Sequence, residues 1–93
     1  MQKLTLPEIE ARLGPGSGWS VVGETIDRTY AFKNFNDAMS FVNRVATHAE
    51  QVQHHPDILV RWNRVTLTLS THDAGGVTER DMVFAGAADA MAD

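Results

Sequence analysis

Between Asn34 and Pro56 the chain carries the pattern that most limits its fold. Phe35, Ala38, Met39, Val42, Val45, Ala46 and Ala49 recur at three- and four-residue spacing, which lays one apolar stripe along a helix. Asn34 or Asn36 can cap its start, since a side-chain oxygen there satisfies amides that the first turn leaves free. Pro56 bounds the other end. Proline pushes the residue before it out of the helical region, so the helix should stop before His54 and His55 should be extended. A helix with one apolar face needs a second layer to cover it.

The flanking segments supply that layer. Thr5-Leu6-Pro7-Glu8 has the form of a capping box, with Leu6, Ile9 and Leu13 at helical spacing and Gly14-Pro15-Gly16 closing a short first helix. Trp19 to Thr25 mixes aromatic and β-branched residues, and Ile26, Arg28, Tyr30 and Phe32 alternate, which predicts a hairpin turning near Gly23-Glu24. Beyond Pro56, Ile58 to Trp62 and Val65 to His72 read as two strands joined at Asn63-Arg64. That reading sets Val65, Leu67, Leu69 and Thr71 on one face and Thr66, Thr68, Ser70 and His72 on the other. Asp73 to Gly76 is a turn, and Thr78 caps a last helix to about Ala92, with Asp81 in its first turn where a carboxylate suits the helix dipole. The order α-β-β-α-β-β-α predicts an α+β fold, one four-stranded antiparallel sheet with helices packed on one face. Residues 1–93 are expected to form a single domain.

Composition narrows the chemistry. With no cysteine, disulfides, thiolate metal sites and cysteine nucleophiles are excluded. A net charge of −4 with scattered basic residues argues against a phosphate-tracking surface, so no direct nucleic-acid partner is expected. The N-terminal residues show no apolar run behind a basic flank, so neither a signal peptide nor a membrane span is read there, and a cytoplasmic protein is expected. A chain this small, 43% hydrophobic, gains stability by burying apolar surface against a copy of itself, so a homo-oligomer is expected.

The histidines are the candidate chemistry, because imidazole alone exchanges protons near neutrality without perturbation. His48 borders the helical stripe and reads as a surface residue. His54 and His55 follow a helix end, where a histidine often does no more than meet the last carbonyls. His72 ends a strand on a polar face, where Ser70, Glu50 and Asp81 come near if the layers pack as inferred. Adjacent residues in an extended segment point opposite ways, so His54 and His55 are poorly disposed to hold one metal ion. General acid-base work asks only that they address different atoms of one substrate.

Taken together, Glu50-x-x-x-His54-His55-Pro56, then Trp62, then Ser70-Thr71-His72, then Asp81 within Thr78-Glu79-Arg80-Asp81 closely resembles the signature of the pterin-4a-carbinolamine dehydratases. The likeness extends upstream through Gly18-Trp19, Phe32-Lys33-x-Phe35 and Arg44-Val45-Ala46, so it covers nearly the whole chain. Gln53 stands where some relatives carry an acid, and Ile58 where some carry an aromatic. The resemblance implies dehydration of a 4a-hydroxytetrahydropterin to the quinonoid dihydropterin, in support of an aromatic amino acid hydroxylase. It implies no metal and no organic cofactor. His54, His55 and His72 are then the catalytic imidazoles, and Glu50, Pro56, Ser70, Thr71 and Asp81 are substrate-binding positions. Glu50 and Asp81 have orienting of imidazoles, or capping of the last helix, as physically reasonable roles. Homodimers or homotetramers are implied as well. The alternative is a non-catalytic homo-oligomeric interaction module.

Overall fold

The computed structural model describes residues 1–92. Its elements are α1 (Leu6–Leu13), β1 (Ser20–Val22), β2 (Thr25–Ala31), α2 (Phe35–Val52), β3 (Asp57–Arg61), β4 (Arg64–Leu69), a 3₁₀ turn (His72–Ala74) and α3 (Glu79–Met91). The strands form one antiparallel sheet in the order β1-β2-β4-β3. The helix caps are those the sequence announced: Thr5 with Glu8 and Thr78 with Asp81 each close a capping box, and the Asn34 side chain accepts from the Asp37 amide.

One face of the sheet carries the core. Ile26, Tyr30, Val65, Leu67 and Leu69 are buried there with Ala38, Phe41, Val45 and Ala49 of α2 and Met82, Phe84, Ala85 and Ala88 of α3. Phe41 is the keystone of this packing, its ring centroid 4.7 Å from Tyr30 and 5.1 Å from Phe32. Truncating such a residue to alanine costs about 3–5 kcal/mol. The opposite face is left to solvent and bears polar cross-strand pairs such as Thr29 and Thr66, whose hydroxyls lie 2.7 Å apart.

The last helix has little apolar periodicity, and polar clamps at its two ends locate it. Near its C-terminus Asp89 accepts from the Tyr30 hydroxyl at 2.6 Å, from Arg28 at 3.0 Å and from the Trp19 indole at 3.1 Å. Gly18 is required beside this cluster, because a Cβ there would stand 2.9 Å from the Arg28 guanidinium and φ is +85°. Burial, the Asp89 hydrogen bond and the Asp89 charge together push the Tyr30 phenol well above its ordinary range. At its N-terminus the clamp is Asp81, described below.

Two sequence expectations are corrected. The β3–β4 turn is Trp62-Asn63, one residue earlier than Asn63-Arg64, with Arg61 paired to Arg64. Asn63 is the cause: its side chain donates to the Phe32 carbonyl at 2.9 Å and its carbonyl accepts from the Phe32 amide at 2.8 Å. Trp62 consequently takes φ 53°, a left-handed conformation that costs a non-glycine residue about 1–2 kcal/mol. The last strand ends at Leu69 and does not reach His72. Thr71 instead bridges to Gly76, and its carbonyl collects the Ala74 and Gly75 amides, which folds His72 into the turn. His72 therefore does not share a strand face with Ser70.

Candidate active site

Helix α2 ends on Gln53, which is left-handed at φ 54° and so reverses the chain as a C-terminal cap. The free carbonyls there have partners: Arg80 donates to Gln53 at 2.7 Å and to Val52 at 3.5 Å, while the Gln53 side chain donates from Nε2 to the Glu50 carbonyl at 2.7 Å. The helix end is satisfied without the imidazoles. His54 turns inward and His55 outward, as neighbours beyond a helix end must when the chain is extended.

Each imidazole meets its own carboxylate. His54 Nε2 lies 2.5 Å from Asp81 Oδ1, and His55 Nε2 lies 2.6 Å from Glu50 Oε2. The two pairs differ in environment. His54 is 8% exposed and Asp81 is wholly buried, whereas the His55 and Glu50 side chains are 56% and 75% exposed. An exposed pair of this kind stabilises a fold by about 0–1 kcal/mol. A buried carboxylate must instead have its oxygens satisfied or it destabilises the fold.

Asp81 is satisfied in full. Its Oδ2 accepts from the Thr71 hydroxyl at 2.8 Å and from the Thr78 amide at 2.9 Å. The Thr78 hydroxyl accepts from the Arg80 amide at 3.3 Å and lies 2.6 Å from that of Thr71. Thr78 therefore donates to Thr71, and Thr71 donates to Asp81. With the Thr71 hydroxyl and the Thr78 amide both donating to Oδ2, His54 Nε2 is the third partner of the carboxyl group, at Oδ1, and Nδ1 is the ring nitrogen that Asp81 does not engage. Asp81 thus both caps α3 and orients His54. No buried side-chain polar atom lacks a partner among the described residues.

The remaining candidate residues lie around the same end of the sheet. The β3–β4 ladder ends at Asp57 opposite Thr68, and continuing its register sets His55 across from Ser70 and His54 across from Thr71. Pro56 is half-buried between His55 and β3. Ser70 donates its hydroxyl to the Glu24 carbonyl at 2.9 Å. The Thr71 amide is committed to Gly76, so Ser70 is the strand-end position. His72 is exposed at the start of the 3₁₀ turn, and its ring forms no hydrogen bond or ion pair among the described residues. Among those residues no group of three histidine or acidic side chains is disposed to hold a metal ion.

Some neighbours of the site escaped sequence reasoning. His48 is half-buried, its ring 5.1 Å from Phe84, and Phe84 lies 6.2 Å from the His54 ring. These three rings border a cavity of about 230 Å³ with Val52 and Val83 on its walls. A larger cleft of about 960 Å³ runs between α1 and β1 but contains no histidine. The link from the Thr78 hydroxyl to Thr71 and the Arg80 clamp were also missed. Only Thr78 had a local signal, as the head of a capping box.

This fold and site define an α+β protein with two adjacent imidazoles, each held by a carboxylate, at one end of an antiparallel sheet. The chain belongs to the pterin 4 alpha carbinolamine dehydratase family, whose model matches residues 2–91. It is 53% identical over 85 residues, 91% of each chain, to a protein of Thermomicrobium roseum provisionally named pterin-4-alpha-carbinolamine dehydratase. A similarly named protein of Sulfurisphaera tokodaii is 41% identical over 91 residues, 98% of each chain. A crystal structure from Brucella melitensis, described as a transcriptional coactivator/pterin dehydratase, superposes with a TM-score of 0.93 at 38% identity, over 99% of this chain and 100% of that one. A pterin dehydratase-like protein, described as a RuBisCO assembly factor in the alpha-carboxysome, shares the fold with a TM-score of 0.67 at 23% identity, over 80% of this chain and 86% of that one. Among the described residues no helix is long and apolar enough to cross a membrane.

Proposed function

We propose that this chain dehydrates 4a-hydroxytetrahydropterin to quinonoid dihydropterin by histidine acid-base catalysis. The observation that carries the reading is the paired hold on adjacent imidazoles, His54 by Asp81 at 2.5 Å and His55 by Glu50 at 2.6 Å. In the elimination the C4a–O bond breaks, the 4a hydroxyl takes a proton and leaves as water, and N5 gives up its proton as the C4a=N5 bond forms. One acid and one base near neutral pH are needed, and positioned groups of that kind contribute roughly 100- to 10,000-fold.

In this reading His55 and His72, both exposed, carry most of the proton transfer, while the buried His54 orients substrate through Nδ1. Asp81 acts on substrate through His54, since it is itself sealed from solvent. Glu50 fixes the His55 ring, and Pro56 and the strand end at Ser70-Thr71 bound the pterin ring, whose amide-like edge suits backbone partners. The protein works in the cytoplasm as a homodimer or homotetramer, linked to an aromatic amino acid hydroxylase, and no cofactor takes part.

The test is the rate of quinonoid dihydropterin formation from freshly generated 4a-carbinolamine at neutral pH, for wild type, His55→Ala and His72→Ala. Acceleration that collapses in the variants is expected. Near-wild-type turnover in both would refute the assignment. A second reading, a non-catalytic interaction module, is favoured by the coactivator description attached to the Brucella melitensis structure. Partner binding that ignores histidine substitution, with no acceleration over buffer, is its signature.

A further inference from the structure

The chain has eight lysines and arginines, and five of them are occupied within the fold. Lys3, Arg12 and Arg28 pair with Glu24, Glu79 and Asp89, while Arg44 and Arg80 donate to carbonyls at helix ends. The other three are Lys33, Arg61 and Arg64, and all are exposed. None of them has a hydrogen-bonding or ion-pair partner among the described residues. All three fall at one end of the sheet. Arg61 and Arg64 are direct cross-strand partners and Arg64 is also opposite Ala31; Lys33 follows Phe32, which is bonded to Asn63 in the turn between the arginines.

Like charges directly opposite each other weaken a strand pair. Here such a pair closes a hairpin whose tip is itself strained, with Trp62 left-handed and 71% exposed. Asn63 fixes the turn through its two bonds to Phe32. Local energy would favour a glycine at the tip and a counter-ion or neutral residue beside Arg61. The tip instead combines tryptophan and arginine, the side chains most enriched among residues that dominate binding energy. Small, locally cationic and set on an otherwise acidic surface, it is too short a basic track for a polynucleotide, and its charge calls for an anionic partner of similar extent.

We propose that the Arg61-Trp62-Asn63-Arg64 tip, with Lys33, is a docking site for an acidic segment of a partner protein that carries an apolar side chain to lie on Trp62. The carboxylates of that segment neutralise the facing arginines, and the indole supplies the apolar contact. The site lies at the end of the β3–β4 hairpin remote from Asp57 and His55, so it is separate from the histidine cluster.

The test uses a short synthetic peptide rich in aspartate and glutamate and carrying two phenylalanines, with a glutamine-for-acid version as control. Trp62 reports directly, because Trp19 is buried. At low ionic strength the acidic peptide is expected to bind, to protect tryptophan fluorescence from acrylamide, and to weaken steeply with salt. Arg61→Glu with Arg64→Glu is expected to lose about tenfold or more in affinity, and Trp62→Ala a comparable amount, with unchanged thermal unfolding and unchanged turnover of the carbinolamine. Sedimentation across a concentration series accompanies the titration. The proposal is overturned by equal binding of both peptides, by binding indifferent to the arginine substitutions, or by no binding. Tighter binding of a single-stranded oligonucleotide, or a change of oligomeric state in the arginine variant, overturns it too, by naming a different occupant.

Discussion

His54 Nε2 and Asp81 Oδ1 lie 2.5 Å apart across 27 residues of sequence, and the other oxygen of Asp81 closes the cap of α3. One carboxylate thus serves a helix and an imidazole together. Asp81→Ala should destabilise the fold by about 2 kcal/mol or more, since it strands Thr71, the Thr78 amide and His54 in a buried space. Asp81→Asn keeps the volume but cannot accept all three hydrogen bonds. It should lose less stability and still lower carbinolamine turnover at least about tenfold, through a misoriented ring. Thermal unfolding and initial rates on the same samples separate the two effects, and full turnover in Asp81→Asn would remove the orienting role.

His55 and Glu50 present the opposite case. Both are exposed, so His55→Ala should shift stability by no more than about 0.5 kcal/mol while removing roughly 100-fold or more of the catalysis. Glu50→Gln should leave the fold intact and cost activity less than His55→Ala does, because the imidazole remains. A variant pair in which Glu50→Gln is the more damaging would instead make Glu50 the reacting group.

His72 stands at the surface of a turn anchored from behind by Thr71 and Asp81. His72→Ala should therefore unfold at the wild-type temperature yet fall severely in turnover. Thr71→Val is expected to do the reverse in part, with a loss of about 1–3 kcal/mol as Asp81 gives up a donor. Denaturant titration beside rate measurements distinguishes them.

Alkaline pH tests the other end of α3. The Tyr30 phenol is held above its ordinary range by burial and by Asp89, while in the unfolded chain it ionises at about pH 10. The unfolded state then binds fewer protons than the folded state above that pH. Stability contributed by the neutral phenol is complete below about pH 10 and declines as pH rises beyond it. Melting temperature measured from pH 8 to 11 should fall in wild type and fall less steeply in Tyr30→Phe, which starts lower for want of the Asp89 hydrogen bond.

Which of these features the sequence could announce follows from how far apart their parts lie. The stripe from Phe35 to Ala49 and the caps at Thr5, Asn34 and Thr78 are local, and each formed where its neighbours dictated. The two hairpins and the single antiparallel sheet were legible from local turns and one buried face, while the β2–β4 pairing that joins the hairpins spans the whole of α2 and had no local signal. His72 was misplaced because the bridge from Thr71 to Gly76 breaks the strand after Leu69, and alternation of residue types continues past that point. The Trp62-Asn63 turn was shifted because Asn63 answers to Phe32, 31 positions earlier. Asp81 was within reach as a capping residue, yet its pairing with His54 depends on how α3 lies against the end of α2. The Asp89 cluster had no signal at all, since nothing in a single chain of letters ties an aspartate near the C-terminus to Tyr30, Arg28 and Trp19.

The double engagement of Asp81 also bears on amide hydrogen exchange. The first turn of α3, the Thr71 corner and the His54 ring share one buried carboxylate, so they form a single opening unit, not three. Exchange at the Thr78 and Asp81 amides and line broadening of the His54 ring resonances should then report one common opening rate. In such an arrangement the imidazole cannot go slack while the helix stays wound, and a molecule that still shows a protected α3 start is one whose His54 remains aligned.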